Sequence, residues 1–206
     1  MTEWYFYEPV AGHGLRHDPL NAIVAPRPIG WISTVSGAGV RNLAPYSFFN
    51  LFNYKPPIVG FCSVGAKDSL ANARETGEFV WNLATRDLAE AMNASSVAAP
   101  PETDEFALAG LETLPSAKVR PPRVAASPVQ FECVVTQVVQ LEARGGDHLP
   151  SWLVLGEAVA VHVDRALIED GVYQTARARP ITRGGGPADY FEITPEQLFR
   201  LERPKG

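Results

Sequence analysis

Residues 129–141 alternate apolar and polar side chains over a length that commits the chain to extended structure. Val129, Phe131, Cys133, Val135, Val139 and Leu141 fall on one face, with Gln137 as the break. Gln130, Glu132, Thr136, Gln140 and Glu142 fall on the other, interrupted by Val134 and Val138. A side-chain period of two belongs to a strand, and the interruptions predict that it bends. Residues 152–163 repeat the pattern, with Leu153, Leu155, Val159, Val161 and Val163 on one face and Gly156, Ala158 and Ala160 opposite. Small residues there admit a close neighbour, either in plain sheet packing or as a flat ligand.

Shorter strand signals precede these. Residues 28–35 and 40–44 flank Ser36-Gly37-Ala38-Gly39, whose two glycines tolerate the positive φ of hairpin turns, and residues 58–63 and 78–83 add two more strands. Helical signals are fewer. Asp68 is placed to cap residues 69–76, with Gly77 just past the end. A second short helix is predicted over 87–94, and a third begins at Thr194, with Pro195 first and Gln197 completing a capping box.

Between 97 and 128 the chain carries Pro100, Pro101, Pro115, Pro121, Pro122 and Pro128, which forbid a continuous helix or a central strand. Phe106, Leu108 and Leu111 still need burial. The stretch therefore reads as an excursion over the domain surface, with a partner subunit as one candidate cover. At 206 residues and 22.4 kDa, one core and one domain over 1–206 are expected. Closely spaced strands with few helices predict a mainly β fold: a small, Greek-key-like antiparallel barrel with peripheral α-helices.

Composition removes several functions. Lys and Arg total 18 against 23 Asp and Glu, and the net charge of −5 opposes a nucleic-acid backbone. No run approaches the ~20 apolar residues that cross a bilayer. The aromatic, acidic start over 1–9 does not read as a signal peptide. The two cysteines, Cys62 and Cys133, sit in apolar runs, which suits a reducing compartment, and the expected location is the cytoplasm. Nucleophile-elbow, Walker, Cys-x-x-Cys and His-Glu-x-x-His patterns are missing. His13 and His17 have ligand spacing, but Gly12 and Gly14 oppose a helix there, so no metal is expected. Without an acid–base constellation, no side chain is assigned as catalytic, and a bound cofactor is left to carry any chemistry.

The first hundred residues point to that cofactor. Arg27-Pro28-Ile29-Gly30-Trp31-Ile32-Ser33-Thr34-Val35 leads through the glycine turn into Asn42-Leu43-Ala44-Pro45-Tyr46-Ser47-Phe48-Phe49-Asn50, followed by Pro56-Pro57-Ile58-Val59. Phe61-Cys62-Ser63, Lys67-Asp68-Ser69, Asn72 and Thr76-Gly77-Glu78-Phe79-Val80-Trp81-Asn82-Leu83 continue the series. This order resembles the flavin reductase-like family of FMN-binding split barrels, strongly over residues 20–95 and more loosely over 127–190. The resemblance implies a homodimer that binds FMN, or in some members FAD, without a covalent bond. It also implies hydride transfer from NADH or NADPH, and a partner monooxygenase as one possible acceptor.

The same resemblance nominates Arg27, Ala44, Tyr46, Ser47, Asn50, Ser63, Lys67 and Ser69 as flavin-binding residues. Lys67, the Ser69 hydroxyl and the free N–H groups opening the helix supply charge, donors and dipole for a phosphate, and Ser63 adds a donor. Asp68 cannot face a phosphate and is expected to cap instead. Residues 44–50 read as a loop that sets amides and the Ser47 hydroxyl against the ring, while Phe48 and Phe49 enter the core. Arg27, held between Pro26 and Pro28, points either toward the flavin or into solvent, and Trp31 belongs to the core or a subunit interface.

Two departures stand out. Ala66 replaces an arginine often found before the lysine. Arg183-Gly184-Gly185-Gly186 replaces an Arg-Leu-Gly-Gly stretch, and the triple glycine predicts a mobile segment. The functional expectation is an NAD(P)H-dependent flavin reductase. An FMN electron carrier and a split-barrel binding protein that has lost flavin are the alternatives.

Overall fold

The computed structural model describes residues 2–204, so Met1 of the aromatic start lies outside the described residues. Helix α1 (Leu20–Ile23) leads into β1 (Arg27–Pro28) and β2 (Gly30–Val35). The turn after β2 returns the chain as β3 (Arg41–Tyr46), and of its two glycines only Gly39 uses a positive φ, +87°. Gly37 instead donates its N–H to Glu75 Oε2 at 2.9 Å. Next come β4 (Phe49–Tyr54), β5 (Pro57–Val64), α2 (Asp68–Thr76), β6 (Glu78–Asn82), α3 (Ala89–Ala94) and α4 (Glu105–Leu108). Two-residue strands β7 (Thr113–Leu114) and β8 (Arg123–Val124) precede the long hairpin of β9 (Val129–Glu142) and β10 (His148–Val163). The chain finishes with β11 (Ile168–Glu169), β12 (Val172–Tyr173), β13 (Ile181–Arg183) and β14 (Tyr190–Glu192). The helix expected at Thr194 is a single 3-10 turn, Pro195–Gln197, in which Gln197 Oε1 accepts the Thr194 N–H at 3.2 Å.

Seven strands form one antiparallel sheet in the order β3-β2-β6-β9-β10-β5-β4. Its two edges, β3 and β4, are consecutive in the chain and separated only by Ser47 and Phe48. Three Cα steps reach at most ~11 Å, so the edges are drawn together and the sheet closes into a barrel. Residues 44–50 are therefore mostly strand, not the expected loop. A smaller sheet, β1-β13-β14, stands beside the barrel.

Inside the barrel, Ile32, Val59, Phe61, Phe79, Cys133 and Val154 pack with Leu70 and Ala73 of α2. The register of β9 and β10 corrects two expectations. Leu155 pairs with Gln137 but Gly156 pairs with Val135, so Thr136 is an extra residue, a bulge that reverses the alternation beyond it. Val138 consequently turns to the core while Val139 and Leu141 are exposed. On β10 Gly156 and Ala158 point inward, and a Cβ on Gly156 would lie 2.4 Å from Phe79 Cε1. That is plain packing without a ligand. The alternation reverses again at a second bulge between Ala158 and Ala160, where Val159 is the extra residue; beyond it Val161 pairs with Phe131 and Val163 packs beside Val129.

The proline-rich excursion is covered by its own barrel. Phe106 and Val124 are fully buried with Trp31, Leu43 and Met92 in a second core outside β2 and β3, and Leu111 packs against it. Leu108 stays exposed. Glu132, on the face of β9 expected to be solvated, is wholly buried because the excursion needs it. Its carboxylate accepts the Ala117 and Lys118 N–H groups at 2.8 and 2.6 Å and lies 2.6 Å from His162 Nε2.

Candidate functional site

A cleft of about 310 Å³ opens where the end of β3 meets the start of α2. Ala44, Tyr46, Lys67, Asp68, Ser69 and Glu105 line it, and residues 95–99 form its far wall. Helix α2 starts here because Lys67, with extended backbone, occupies the capping position, and it stops at Gly77, whose φ of +71° is left-handed. Lys67 C=O accepts the Ala71 N–H at 3.0 Å, so the amides of Asp68, Ser69 and Leu70 have no acceptor within the helix. Asp68 is the first helical residue, one position too late to cap, and its side chain makes no cap bond. This corrects its expected role. Lys67 is exposed, and no carboxylate among the described residues forms an ion pair with it.

Behind these donors stands a rigid polar support. Asn42 Nδ2 donates to Ser69 Oγ at 2.9 Å and to Thr34 Oγ1 at 3.1 Å, and Asn72 Nδ2 donates to the same threonine oxygen at 3.1 Å. Ser69 thus accepts from inside and keeps its own O–H for the cleft. Ser63 lies a layer deeper, fully buried, with Oγ donating to Gly65 O at 2.8 Å, so it shapes the turn before α2.

Tyr46 is only 6% exposed, with its ring 4.7 Å from that of Phe61, and its buried hydroxyl has no hydrogen-bond partner among the described residues. Burial pushes its pKa up. The Ser69 and Ser63 hydroxyls are near enough to pull the other way, but neither reaches hydrogen-bond geometry, while Asp68 and Glu105 add to the rise. Glu105 is 5% exposed, with Oε2 accepting the Leu43 N–H at 3.1 Å. Burial raises its pKa against the pull of the Leu43 N–H, and the charges of Asp68 and Asp104 act in the same upward direction. Asp104 itself is paired with Arg41, whose Nε lies 2.8 Å from Oδ2.

A second cleft holds Arg27, Ser47 and Asn50. It lies beyond the Tyr46–Ser47 peptide, since Tyr46 lines the first cleft and Ser47 the second. The Arg27 guanidinium reaches toward neither solvent nor the first cleft. Nη1 donates to Val24 O at 2.6 Å and to Asn21 O, and Nη2 donates to Gly184 O at 3.1 Å. It ties α1 to the glycine segment, and its Nε is buried without a partner. Burial lowers its pKa, with the charge of Arg183 adding to the effect. Asn50 Oδ1 accepts the Leu51 N–H at 2.8 Å. Phe49 stacks on Trp81, 5.4 Å apart and 9° from parallel, as expected, but Phe48 is 44% exposed and does not enter the core. The triple glycine is packed, because a Cβ on Gly185 would fall 2.3 Å from Ala22 Cα. Arg183 braces the same turn by donating to Gly186, Pro187 and Asp189 carbonyls.

Of the eight nominated residues, Ala44, Tyr46, Lys67 and Ser69 share the first cleft, Arg27, Ser47 and Asn50 the second, and Ser63 supports the first from behind. Sequence reasoning missed Asn42 and Glu105. Asn42 lay within a quoted motif, and Glu105 was marked only by its place before an apolar residue that needed burial. Among the described residues no group of three or more His, Cys, Asp or Glu is placed to hold a metal ion. No helix among them is long and apolar enough to cross a membrane.

The architecture is an antiparallel barrel with unpaired donors at one helix start, and comparison with known proteins narrows its class. Residues 24–182 match the family profile described as Flavin reductase like domain, and the chain belongs to that family. It is 38% identical over 187 residues to an uncharacterized protein of Halalkalibacterium halodurans, covering 88% of this chain and 87% of that one. Its structure is similar to nitrilotriacetate monooxygenase component B from Bacillus cereus, at 30% identity and a TM-score of 0.81, covering 88% of this chain and 90% of that one. A flavin-reductase candidate with a split barrel domain from Shewanella frigidimarina shares the fold, at 22% identity, a TM-score of 0.79 and 90% of each chain. The fold is accordingly the mainly β split barrel of the flavin reductase-like family.

Proposed function

We propose that this protein is a flavin-dependent reductase that holds FMN without a covalent bond, with the tail phosphate at the first cleft. The observation that carries the reading is the Tyr46 hydroxyl, a buried donor with no partner in a cleft that also offers Lys67, the Ser69 O–H and the free amides of α2. Buried polar groups are nearly always satisfied, so an orphan facing a cleft argues for a ligand rich in acceptor oxygens. A phosphate fits this donor set, aided by the positive end of the helix.

When bound, the flavin supplies the redox chemistry, accepting hydride from NADH or NADPH. The chain's own residues bind and orient. Lys67, Ser69 and Tyr46 fix the phosphate, and Ser63 and Asn42 hold those groups in place. Ser47 and Asn50 bound the neighbouring ring site, which Arg27 keeps rigid by fastening α1 to the glycine segment, and Ala44 lines the phosphate cleft beside it. No side chain is assigned a proton-transfer step.

Leu51 and Phe52 of β4 and Val159 and Val161 of β10 are exposed apolar side chains, a surface that suits a second copy of the chain. The similarity to a monooxygenase component supports a partner oxygenase as acceptor. Both cysteines are free, consistent with a reducing, cytoplasmic setting.

Fluorescence titration with FMN and with riboflavin tests the site. FMN is expected to bind at least tenfold more tightly, since riboflavin lacks the phosphate and so its charged hydrogen bonds, worth ~1.5–3 kcal/mol each. Equal affinities, or no binding of either, refute the assignment. Anaerobic addition of each reduced nicotinamide to the loaded protein then reads bleaching of the flavin, and steady-state turnover of added FMN separates a reductase from a carrier.

A further inference from the structure

The first cleft has the wrong charge for the ligand that its donors fit. Its lining includes one cation, Lys67, and two carboxyls, Asp68 and Glu105. A phosphate dianion entering such a site meets more negative charge than positive, and Ala66 leaves no second cation beside the lysine. Like charges held close in a poorly solvated site cannot all stay ionised.

Glu105 is the carboxyl placed to yield. Phe106 beside it is locked in the second core and Asp104 anchors the start of α4 by accepting the Phe106 N–H at 3.0 Å, so the backbone that carries Glu105 is held in place. Oε2 is engaged by the Leu43 N–H, the residue's own N–H lies near the carboxyl, and no other residue among those described hydrogen-bonds it. The charged and titratable groups around it are Asp68 and Lys67 of α2, Tyr46 of β3, and the Arg41–Asp104 pair. Arg41 is already committed to Asp104, so it offers Glu105 no compensating charge. Asp68 is the more exposed of the two acids and keeps its hydration at lower cost.

Resting on the reading that this cleft takes a flavin phosphate, we propose that Glu105 takes up one proton from solvent as the phosphate enters. The proton adds to Oε1 and leaves again when the ligand dissociates. The carboxyl then changes from a repelling acceptor into a donor to a phosphate oxygen, while Oε2 continues to accept from Leu43. Flavin affinity is thereby coupled to pH through a residue outside the lysine–serine motif.

Calorimetry of FMN binding to the full-length protein at pH 7.5, in two buffers of different ionisation enthalpy, counts the protons exchanged. The expected result is close to one proton taken up per FMN and none per riboflavin. The Kd for FMN should weaken by up to about tenfold per pH unit above neutrality, as one linked proton requires. Uptake should vanish in Glu105→Gln, whose amide can still accept from Leu43, and persist in Asp68→Asn. FMN binding by the wild-type protein without proton uptake, or equal uptake in Glu105→Gln, overturns the inference while leaving the phosphate site intact. If Glu105→Gln fails to fold, the phosphorus NMR chemical shift of FMN bound to the wild-type protein at pH 7.5 decides: a dianionic phosphate together with proton uptake supports Glu105, and a monoanionic phosphate overturns the inference. Failure to bind FMN at all removes the proposed function and this inference together.

Discussion

Replacing Tyr46 by Phe should make the empty protein more stable and the flavin complex weaker. The hydroxyl is buried, has no hydrogen-bond partner, and sits on a ring packed against Phe61. Leaving such a group unsatisfied costs ~1–3 kcal/mol, which its removal relieves while the ring packing stays. For a chain of this size each kcal/mol moves the Tm by about 2–4 °C, so the apo variant should melt roughly 2–12 °C higher. The same hydroxyl, donating to a charged phosphate, contributes ~1.5–3 kcal/mol to binding, so the Kd for FMN should rise roughly 10- to 150-fold. Ligand stabilisation at 1,000 times Kd is about 4.1 kcal/mol, and a hundredfold weaker variant at the same concentration gains only about 1.4 kcal/mol. Melting curves with and without FMN therefore read both signs at once: the variant leads when empty, and its lead shrinks or reverses when FMN is added. An apo variant that melts below the wild type, or an unchanged Kd, refutes the claim that the hydroxyl is kept for a ligand.

Lys67→Ala should weaken FMN binding by ~1.5–3 kcal/mol and leave riboflavin binding unchanged, as read by fluorescence quenching. Glu132→Ala should cost ~3–5 kcal/mol in urea unfolding, because it strands the Ala117 and Lys118 N–H groups and His162 around a buried void. The Glu132 carboxyl also predicts the acid response. Burial acts to raise its pKa, but the Ala117 N–H, His162 and the Lys118 N–H outweigh it and bring the value below 4.5. Its contribution should be complete above pH ~4.5 and be lost as pH falls through the lower folded value; equal acid midpoints for wild type and Glu132→Gln would contradict this. Gly156→Ala should destabilise by ~1–3 kcal/mol, since the new methyl meets the buried Phe79 ring and the Val134 carbonyl, and chemical denaturation measures it.

The strands and the ends of α2 were legible where a local rule decides the outcome. Period-two alternation marked β9 and β10, and Gly77 marked the end of α2. The Lys67-Asp68-Ser69 motif marked the start of that helix. What failed depended on partners far away in the chain. The extra residue at Thr136 is defined only by its register against Leu155 and Gly156, so the inward face of β9 beyond it was assigned to the wrong residues. On β10 both faces are apolar, and the choice between them fell to Phe79, which fills the space above Gly156. Arg27 looked free because its acceptors include Gly184 O, more than 150 positions onward. Glu105 was invisible for the same reason: the excursion that carries it returns to the barrel at a point no local pattern marks.

The order of strands has a consequence for synthesis of the chain. Hairpin β9–β10 sits between β6 and β5, so the part of the large sheet made before it consists of β3-β2-β6 and β5-β4, joined through Ser47 and Phe48 but open between β6 and β5. The last of those residues leaves the ribosome about eighty positions ahead of the end of β10, a delay of roughly 4–16 s at ~5–20 residues per second. Throughout that interval the inner edges of β5 and β6 are unpaired, and the nascent chain is at its most vulnerable to wrong pairing or chaperone capture. The hairpin acts as the keystone of the large sheet, and the first cleft gains its final shape only after the residues that form it have long been made.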